Sequence, residues 1–171
     1  MTAGRPVVLI GPMGAGKTSI GKKLSRRLGV AFVDSDRVVV RRHGPITDLF
    51  AEHGEAHFRA LERDAVAEAL ASGGVVSLGG GAVLDDRTRA SLAGLPVVLL
   101  TVTADAVEAR LAGSARPLLA RGGIDAWRAI ADAREPVYRE LATVAFDTSH
   151  RPVSTVVDDI EAWLDAERGT P

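Results

Sequence analysis

The chain has 171 residues, of which 46% are hydrophobic and 25% are charged, a balance typical of a globular protein that buries one core. Lysine and arginine together number 21 and aspartate and glutamate 22, which gives a net charge of −1. A chain with no overall positive field is not built for bulk nucleic-acid binding. Cysteine is absent, which excludes disulfides, thiolate metal sites and cysteine nucleophiles.

We expect neither a targeting signal nor a membrane span in this chain. The apolar run at residues 7–10 is too short for the core of a signal peptide, and no segment approaches the ~20 apolar residues of a membrane span. We therefore expect a cytoplasmic protein with a single domain over residues 1–171 and no membrane partner. Its modest size and near-neutral surface favour a monomer.

Short apolar runs alternate with longer segments of helical period along the chain. The runs predicted as strands are 6–10, 31–33, 75–78, 96–102 and 144–146. The segments predicted as helices are 17–28, 36–43, 47–53, 55–70, a short helix capped by Asp85 or Asp86, a helix from Thr103 or Asp105 to Leu111, 125–141 and 154–167. Strands that are apolar on both faces and alternate with helices predict an α/β fold, a three-layer α/β/α sandwich with a central five-stranded parallel sheet.

A glycine-rich segment follows the first predicted strand. Residues 11–18 read GPMGAGKT and match the phosphate-loop pattern G-x-x-x-x-G-K-[ST] at the required strand-to-helix junction. The glycines let backbone N–H groups turn toward phosphate oxygens, and the helix N-terminus adds its positive dipole end. Lys17 can reach the β- and γ-phosphates, and the Thr18 hydroxyl can ligate Mg²⁺. The predicted nucleotide contacts in this loop are Gly14, Ala15, Gly16, Lys17, Thr18 and Ser19.

Acidic residues follow the second predicted strand as Asp34-Ser35-Asp36. They lie at the carboxyl edge of the sheet, where open α/β sheets bind ligands. One carboxylate can face a metal ion while the other faces the group that accepts a phosphate. Helix capping by Asp34 or Ser35 is the competing interpretation, and the phosphate loop nearby favours the functional one.

Other candidate positions are ambiguous when the residues are considered alone. The triplet Gly79–Gly81 indicates close backbone approach to a ligand or to another chain segment. Arg116 lies in the aperiodic segment 113–123, which fits either a mobile lid that closes on phosphate or an ordinary surface loop. His53 and His57 are four residues apart, but they fit helix-end histidines better than a zinc pair.

Taken together, these motifs resemble the shikimate kinase family, a branch of the P-loop kinases related to the nucleoside monophosphate kinases. The resemblance covers about residues 7–160, and the motifs after the phosphate loop are the specific ones. The segments that carry it are GPMGAGKTSIGKKLS (11–25), VDSD (33–36), GEAHFRALE (54–62), VVSLGGGAV (75–83), RPLL (116–119) and REPVYRE (134–140). The resemblance implies transfer of the γ-phosphate of ATP to the 3-hydroxyl of shikimate, with Mg²⁺ as cofactor.

The resemblance also implies a role for individual residues. Asp36 resembles the substrate aspartate that accepts the proton of the attacking hydroxyl, and Lys17 and Arg116 complete the catalytic set. Arg59 and Arg134 resemble the pair that grips the shikimate carboxylate. The remaining roles implied by the resemblance are substrate contact by Gly79, Gly80 and Gly81, Mg²⁺ binding by Thr18 and Asp34, and an adenine sandwich made by Arg110 with Arg151 and Pro152.

Two other functions compete with this one. Another small-molecule kinase of the same fold, acting on gluconate or a nucleotide, would share the phosphate loop, although paired arginines favour an acceptor that carries a carboxylate. A catalytically silent nucleotide-binding module is the second alternative, and the presence of Lys17, Thr18, Asp34, Asp36 and Arg116 argues against it. A GTPase is poorly supported, since the sequence lacks an N-K-x-D motif.

Overall fold

A central sheet of short apolar strands organises the structure, a computed structural model that describes residues 4–112 and 122–169. The strands are β1 (Val7–Ile10), β2 (Phe32–Asp34), β3 (Val75–Ser77), β4 (Val97–Thr101) and β5 (Val144–Asp147). All are parallel and lie in the order β2-β3-β1-β4-β5. The strand β1 is central and buried along its whole length, so the phosphate loop that follows it begins in the middle of the sheet.

Helices cover both faces of this sheet. They are α1 (Lys17–Leu28), α2 (Ser35–His43), α3 (Ile46–Ser72), α4 (Asp86–Ser91), α5 (Ala104–Leu111), α6 (Gly123–Leu141) and α7 (Val153–Gly169), with a short 3₁₀ turn at Ala82–Leu84. One core cluster joins the sheet to α1 and α7, and a second joins its other face to α3, α6 and Leu92, which directly follows α4. Two covered faces make the three-layer α/β/α sandwich that the sequence predicts.

The predicted elements are all present, with small differences at their ends. The prediction of a break at Gly54 is confirmed, because this residue has φ 81° and ψ 172° and divides α3 into two arms. Parallel pairing with β3 reaches Asp34, which lies opposite Ser77, so β2 ends one residue later than predicted. The 3₁₀ turn after the glycine triplet was not predicted.

Two further observations bear on the sequence predictions. Within the described part of the chain, every helix is too short or too polar to cross a bilayer. The predicted lid is the segment 113–123. Residues 113–121 of this segment, including Arg116, lie outside the part of the chain that the structure describes. Gly122 and Gly123 are described, and Gly123 is the first residue of α6.

Candidate active site

A cavity of about 490 Å³ opens at the carboxyl ends of the central strands. The phosphate loop lies on one side and the ends of β2 and β3, with the residues after them, on the other, and one face of α6 borders both sides. The lining residues are Pro12, Met13, Gly14, Gly16, Lys17, Thr18, Ser19, Asp34, Asp36, Ser77, Leu78, Gly80, Arg110, Leu111, Trp127, Ile130, Ala131, Arg134 and Tyr138. Most residues predicted from the sequence to bind nucleotide, metal or acceptor therefore share one cleft.

The phosphate loop has a backbone that only glycine adopts easily. Gly11, Gly14 and Gly16 have φ of 141°, 83° and 92°, values in the left-handed region that L side chains disfavour. A Cβ at Gly11 would also collide with the carbonyl oxygen of Leu100. The loop therefore presses directly on β4 at Gly11, in the glycine-rich conformation that lets backbone N–H groups turn toward an anion.

Lys17 begins α1 and its ammonium group lies back over the loop. Its Nζ atom donates to the carbonyl oxygens of Gly11 at 2.6 Å and Pro12 at 3.1 Å. These contacts keep the positive charge at the mouth of the loop, beside the first backbone amides of the helix. The arrangement combines a point charge with the helix dipole at one place, which suits a phosphate group.

Asp34 performs two tasks at the end of β2. Its Oδ1 atom accepts a hydrogen bond from the backbone N–H of Arg37 at 3.3 Å and so caps α2. Its Oδ2 atom accepts from the Thr18 hydroxyl at 2.9 Å. Asp34 can therefore cap α2 and take part in a metal site at the same time. One carboxylate oxygen caps the helix, and the other contacts Thr18.

The Thr18 and Asp34 oxygens form a donor pair that fits Mg²⁺. Magnesium prefers hard oxygen ligands and is usually held by one or two protein groups together with water and substrate phosphates. Among residues 4–112 and 122–169, no group of three or more acidic or histidine side chains is placed to hold a metal. The donor set therefore suits an ion that arrives with the nucleotide better than a resident structural metal.

Asp36 lies in the first turn of α2, facing the glycine triplet. Burial raises the pKa of its carboxyl to about 6, and the negative charges of Glu62 and Asp34 add to the shift. Lys17 and Arg59 act in the opposite direction. Around neutral pH the group is mostly a carboxylate. Partial burial nevertheless destabilises this charged form relative to the protonated one.

The glycine triplet leaves space that neighbouring side chains occupy. A Cβ at Gly79 would collide with the Asp36 carboxylate, and one at Gly81 would lie 2.7 Å from both terminal nitrogens of Arg59. At Gly80 the closest atom would be Nη1 of Arg134, at 3.2 Å. Side chains in this segment would therefore displace one carboxylate and two guanidinium groups.

Hydrogen bonds hold the same segment from both sides. The N–H of Gly79 donates to the buried Ser35 hydroxyl at 3.0 Å, which ties the segment to the start of α2. The Tyr138 hydroxyl donates to the carbonyl oxygen of Gly80 at 2.5 Å. Both the helix after β2 and the helix α6 thus fix the position of this loop.

Arg59 is held by acidic residues of its own helix. Its Nη1 atom lies 2.6 Å from Oε2 of Glu62, and its Nη2 atom lies 3.5 Å from Oε1 of Glu55. Glu62 is 3% exposed, and its burial raises the pKa of its carboxyl while Arg59 and Arg134 lower it. Glu62 therefore pairs directly with Arg59 and also interacts with the charge of Arg134, the second arginine predicted to bind the acceptor.

The predicted adenine residues are only partly brought together. Arg110 lines the cleft, donating to the carbonyl oxygen of Gly14 at 2.7 Å and to that of Thr148. Arg151 instead pairs with Asp159 of α7, and neither Arg151 nor Pro152 lines the cleft. The adenine sandwich therefore stays a prediction.

Sequence reasoning gave no role to three side chains in or beside the cleft. Glu62 and Tyr138 lie within segments that carry the family resemblance, at 54–62 and 134–140, but had no role assigned. Trp127 has only the ordinary spacing of a core-facing helical residue. The indole Nε1 of Trp127 donates to the carbonyl oxygen of Met13 in the phosphate loop at 2.8 Å. A weak signal existed in α6, where Trp127, Arg134 and Tyr138 are spaced so that they fall on one helical face.

A phosphate loop thus lies on one side of a cleft at the end of a parallel sheet, and a cluster of arginines and carboxylates lies on the other side. This fold and this site define the P-loop kinases of small molecules. Within that class, the family model described as "Shikimate kinase" matches residues 13–165. The chain belongs to the shikimate kinase family, and its activity is that of an ATP-dependent kinase acting on shikimate.

Individual relatives agree with this assignment over almost the whole length. A shikimate kinase from Saccharopolyspora erythraea is 48% identical and covers 94% of each chain. One from Thermobifida fusca is 51% identical and covers 86% of this chain and 89% of its own. The solved structure of the Acinetobacter baumannii shikimate kinase in complex with shikimate is 30% identical, covers 97% of this chain and 96% of its own, and superimposes with a TM-score of 0.89.

Proposed function

We propose that this chain transfers the γ-phosphate of ATP to the 3-hydroxyl of shikimate, giving shikimate 3-phosphate and ADP. The observation that carries the proposal is the joint lining of one cleft by Lys17, Asp36 and Arg134. Lys17 marks the phosphate side and Arg134 the side of the acceptor's carboxylate. Asp36 is then available to the hydroxyl that lies between them.

The acceptor's carboxylate is bound by Arg59 and Arg134. Each guanidinium offers a planar fork of donors that matches two carboxylate oxygens. The guanidinium groups lie directly against the glycine triplet, Arg59 at Gly81 and Arg134 at Gly80. This placement supports the role, because a side chain at either glycine would displace the group that binds the carboxylate. The backbone of Gly79, Gly80 and Gly81 supplies the remaining contacts with the substrate.

Asp36 orients the attacking hydroxyl and accepts its proton. Phosphoryl transfer passes through a loose transition state, so positioning and charge neutralisation contribute more than proton removal. A pKa of about 6 nevertheless makes this carboxylate a better base than an ordinary aspartate and leaves it mostly ionised at neutral pH. Both features suit a group that holds a hydroxyl by accepting its hydrogen bond.

On the nucleotide side, the backbone N–H groups of residues 14–19 surround the phosphates and Lys17 neutralises their charge. Thr18 and Asp34 are the residues that would hold Mg²⁺. When bound, the ion neutralises negative charge on the phosphate oxygens. Arg116, in the segment 113–123 proposed as a mobile lid, is assigned to the transferring phosphate. Arg110 is assigned to the adenine ring, together with Arg151 and Pro152.

We also propose an oligomeric state and a location for this enzyme. The chain is a single-domain monomer in the cytoplasm, where ATP is abundant. Light scattering coupled to size-exclusion chromatography measures the first property directly. A mass of one chain is the expected result, and a stable dimer would contradict it.

The test of the reaction is ADP release from Mg-ATP by the purified protein, with shikimate, gluconate and AMP as parallel acceptors. We expect turnover with shikimate alone. Lys17→Ala serves as the control that removes phosphate recognition and should abolish turnover. Turnover with gluconate or AMP would keep the phosphate loop but refute the acceptor site, and ATP binding without any turnover would indicate a silent module.

A further inference from the structure

One face of α6 lines the cleft from end to end. The cavity is bordered by Trp127, Ile130, Ala131, Arg134 and Tyr138, which are spaced by three, four, seven and eleven residues from the first. This spacing places all five on one side of a helix. A single helix therefore contacts both the nucleotide side and the acceptor side of the site.

At each end of this face, a side chain donates a hydrogen bond to a ligand-binding loop. Trp127 Nε1 donates to the carbonyl oxygen of Met13 at 2.8 Å, and the Tyr138 hydroxyl donates to that of Gly80 at 2.5 Å. Eleven residues make about three helical turns and about 16 Å. The phosphate loop and the glycine triplet thus each accept a hydrogen bond from the same helix, about three turns apart, and the helix is continuous through Pro136.

Trp127 is well anchored for this task. It is 6% exposed and packs with Val107 and Leu111 of α5, so its ring has little freedom. The bonded carbonyl belongs to Met13, immediately before Gly14, whose φ is 83°. A fixed hydrogen-bond donor at this carbonyl restricts the conformation of the Met13–Gly14 turn. This turn determines how the loop's backbone amides are directed toward a phosphate.

We infer that Trp127 is a positioning residue, which holds the phosphate loop in register with the acceptor site and, through α6, links nucleotide binding to shikimate binding. The inference rests on the proposed function. A nucleotide that orders the loop also restrains α6, and α6 carries Arg134 and Tyr138. Each ligand should therefore bind more tightly when the other is present, by the same factor in both directions.

Trp127→Phe tests this inference because it removes the N–H donor and keeps an aromatic ring. We expect KM for ATP to rise about two- to tenfold, the range that one lost hydrogen bond corresponds to. The dissociation constant for shikimate alone should stay unchanged. Calorimetric titration of shikimate with and without a non-hydrolysable ATP analogue gives the linkage factor, and we expect it to fall toward one in the variant.

Trp163→Phe is the matched control, because Trp163 belongs to α7 and is half-buried against the core cluster that includes α1, outside the cleft. This variant should keep the wild-type KM values and linkage factor. Tyr138→Phe removes the donor at the other end of α6 and should also reduce the linkage, so the test survives if either variant folds poorly. Thermal unfolding of each protein separates lost stability from lost linkage.

The outcomes distinguish the two proposals. If wild-type protein fails to release ADP with shikimate, the proposed function is wrong. If wild-type protein is active but Trp127→Phe matches Trp163→Phe in KM for ATP and in linkage, the positioning role is wrong. A wild-type linkage factor of one would likewise refute the connection through α6.

Discussion

Replacing Asp36 by asparagine should stabilise the fold while it disables the reaction. The carboxyl at this position is half-buried beside Glu62 and Asp34, and its pKa is raised from 3.8 to about 6. A shift of this size corresponds to ~3 kcal/mol of preference for the neutral form. Because asparagine is neutral but does not reproduce every contact of a protonated carboxyl, we expect a gain of about 1–3 kcal/mol in the free energy of unfolding at pH 8.

The gain should depend on pH in a defined direction. A carboxyl whose pKa is higher in the folded state contributes stability that is complete below its unfolded pKa and is lost as the pH rises through the folded value. Wild-type stability should therefore lose this contribution between about pH 4 and pH 6, whereas the Asp36→Asn protein should not. The difference between the two proteins should be small near pH 4 and constant above about pH 6.5.

Urea unfolding of both proteins without ligands at several pH values measures this difference. Asp64→Asn, at an exposed position of α3, is the control for removing one negative charge and should change little at any pH. In parallel, kcat of the wild-type protein should rise with pH through about 6, and Asp36→Asn should lower kcat about 10²–10⁴-fold while raising KM for ATP far less. An asparagine variant that is no more stable than wild type at pH 8 would refute the claim that burial penalises this charge.

Three further substitutions test the assignments in the cleft. Arg134→Ala should weaken shikimate binding by ~2–4 kcal/mol because a carboxylate loses one partner in a partly closed site, and an unchanged KM for shikimate would remove this residue from the acceptor site. Gly81→Ala would place a methyl group 2.7 Å from the Arg59 nitrogens. KM for shikimate should therefore rise at least about tenfold, with KM for ATP unchanged. Gly169→Ala is the control and should have no effect, because the added atom meets open space. Thr18→Ala should raise the Mg²⁺ concentration needed for half-maximal rate, and Thr18→Ser should restore it; equal Mg²⁺ titrations for all three proteins would contradict the metal assignment.

The sequence predicted the parts of the site that depend on local chemistry. The phosphate loop needs glycines, one lysine and one hydroxyl in consecutive positions, and such a pattern is visible in any linear reading. Asp34 and Asp36 were identifiable because the carboxyl end of a parallel strand is where ligands bind. These features are encoded within a few residues, so they do not require knowledge of the tertiary fold.

The parts that depend on packing between distant segments were not visible. Glu62 has the spacing of a residue on the buried face of α3, and only the tertiary structure places its carboxylate beside Arg59 and near Arg134. Trp127 similarly reads as a core aromatic, although its indole bonds to a loop more than a hundred positions earlier. Helical period identifies the buried face, but it does not reveal which polar group that face meets.

The negative charge of the buried Glu62 offsets repulsion between two arginines in the proposed acceptor site. Arg59 and Arg134 are proposed to bind one carboxylate, and two guanidinium groups so placed repel each other wherever water is scarce. Glu62 lowers that repulsion because its carboxylate is hydrogen-bonded to Arg59 and also interacts with the charge of Arg134. Both arginines accordingly lower the pKa of Glu62, against the effect of burial. The same negative charge raises the pKa of Asp36. One buried carboxylate therefore stabilises the two arginines proposed to bind the acceptor and makes the neighbouring aspartate more basic.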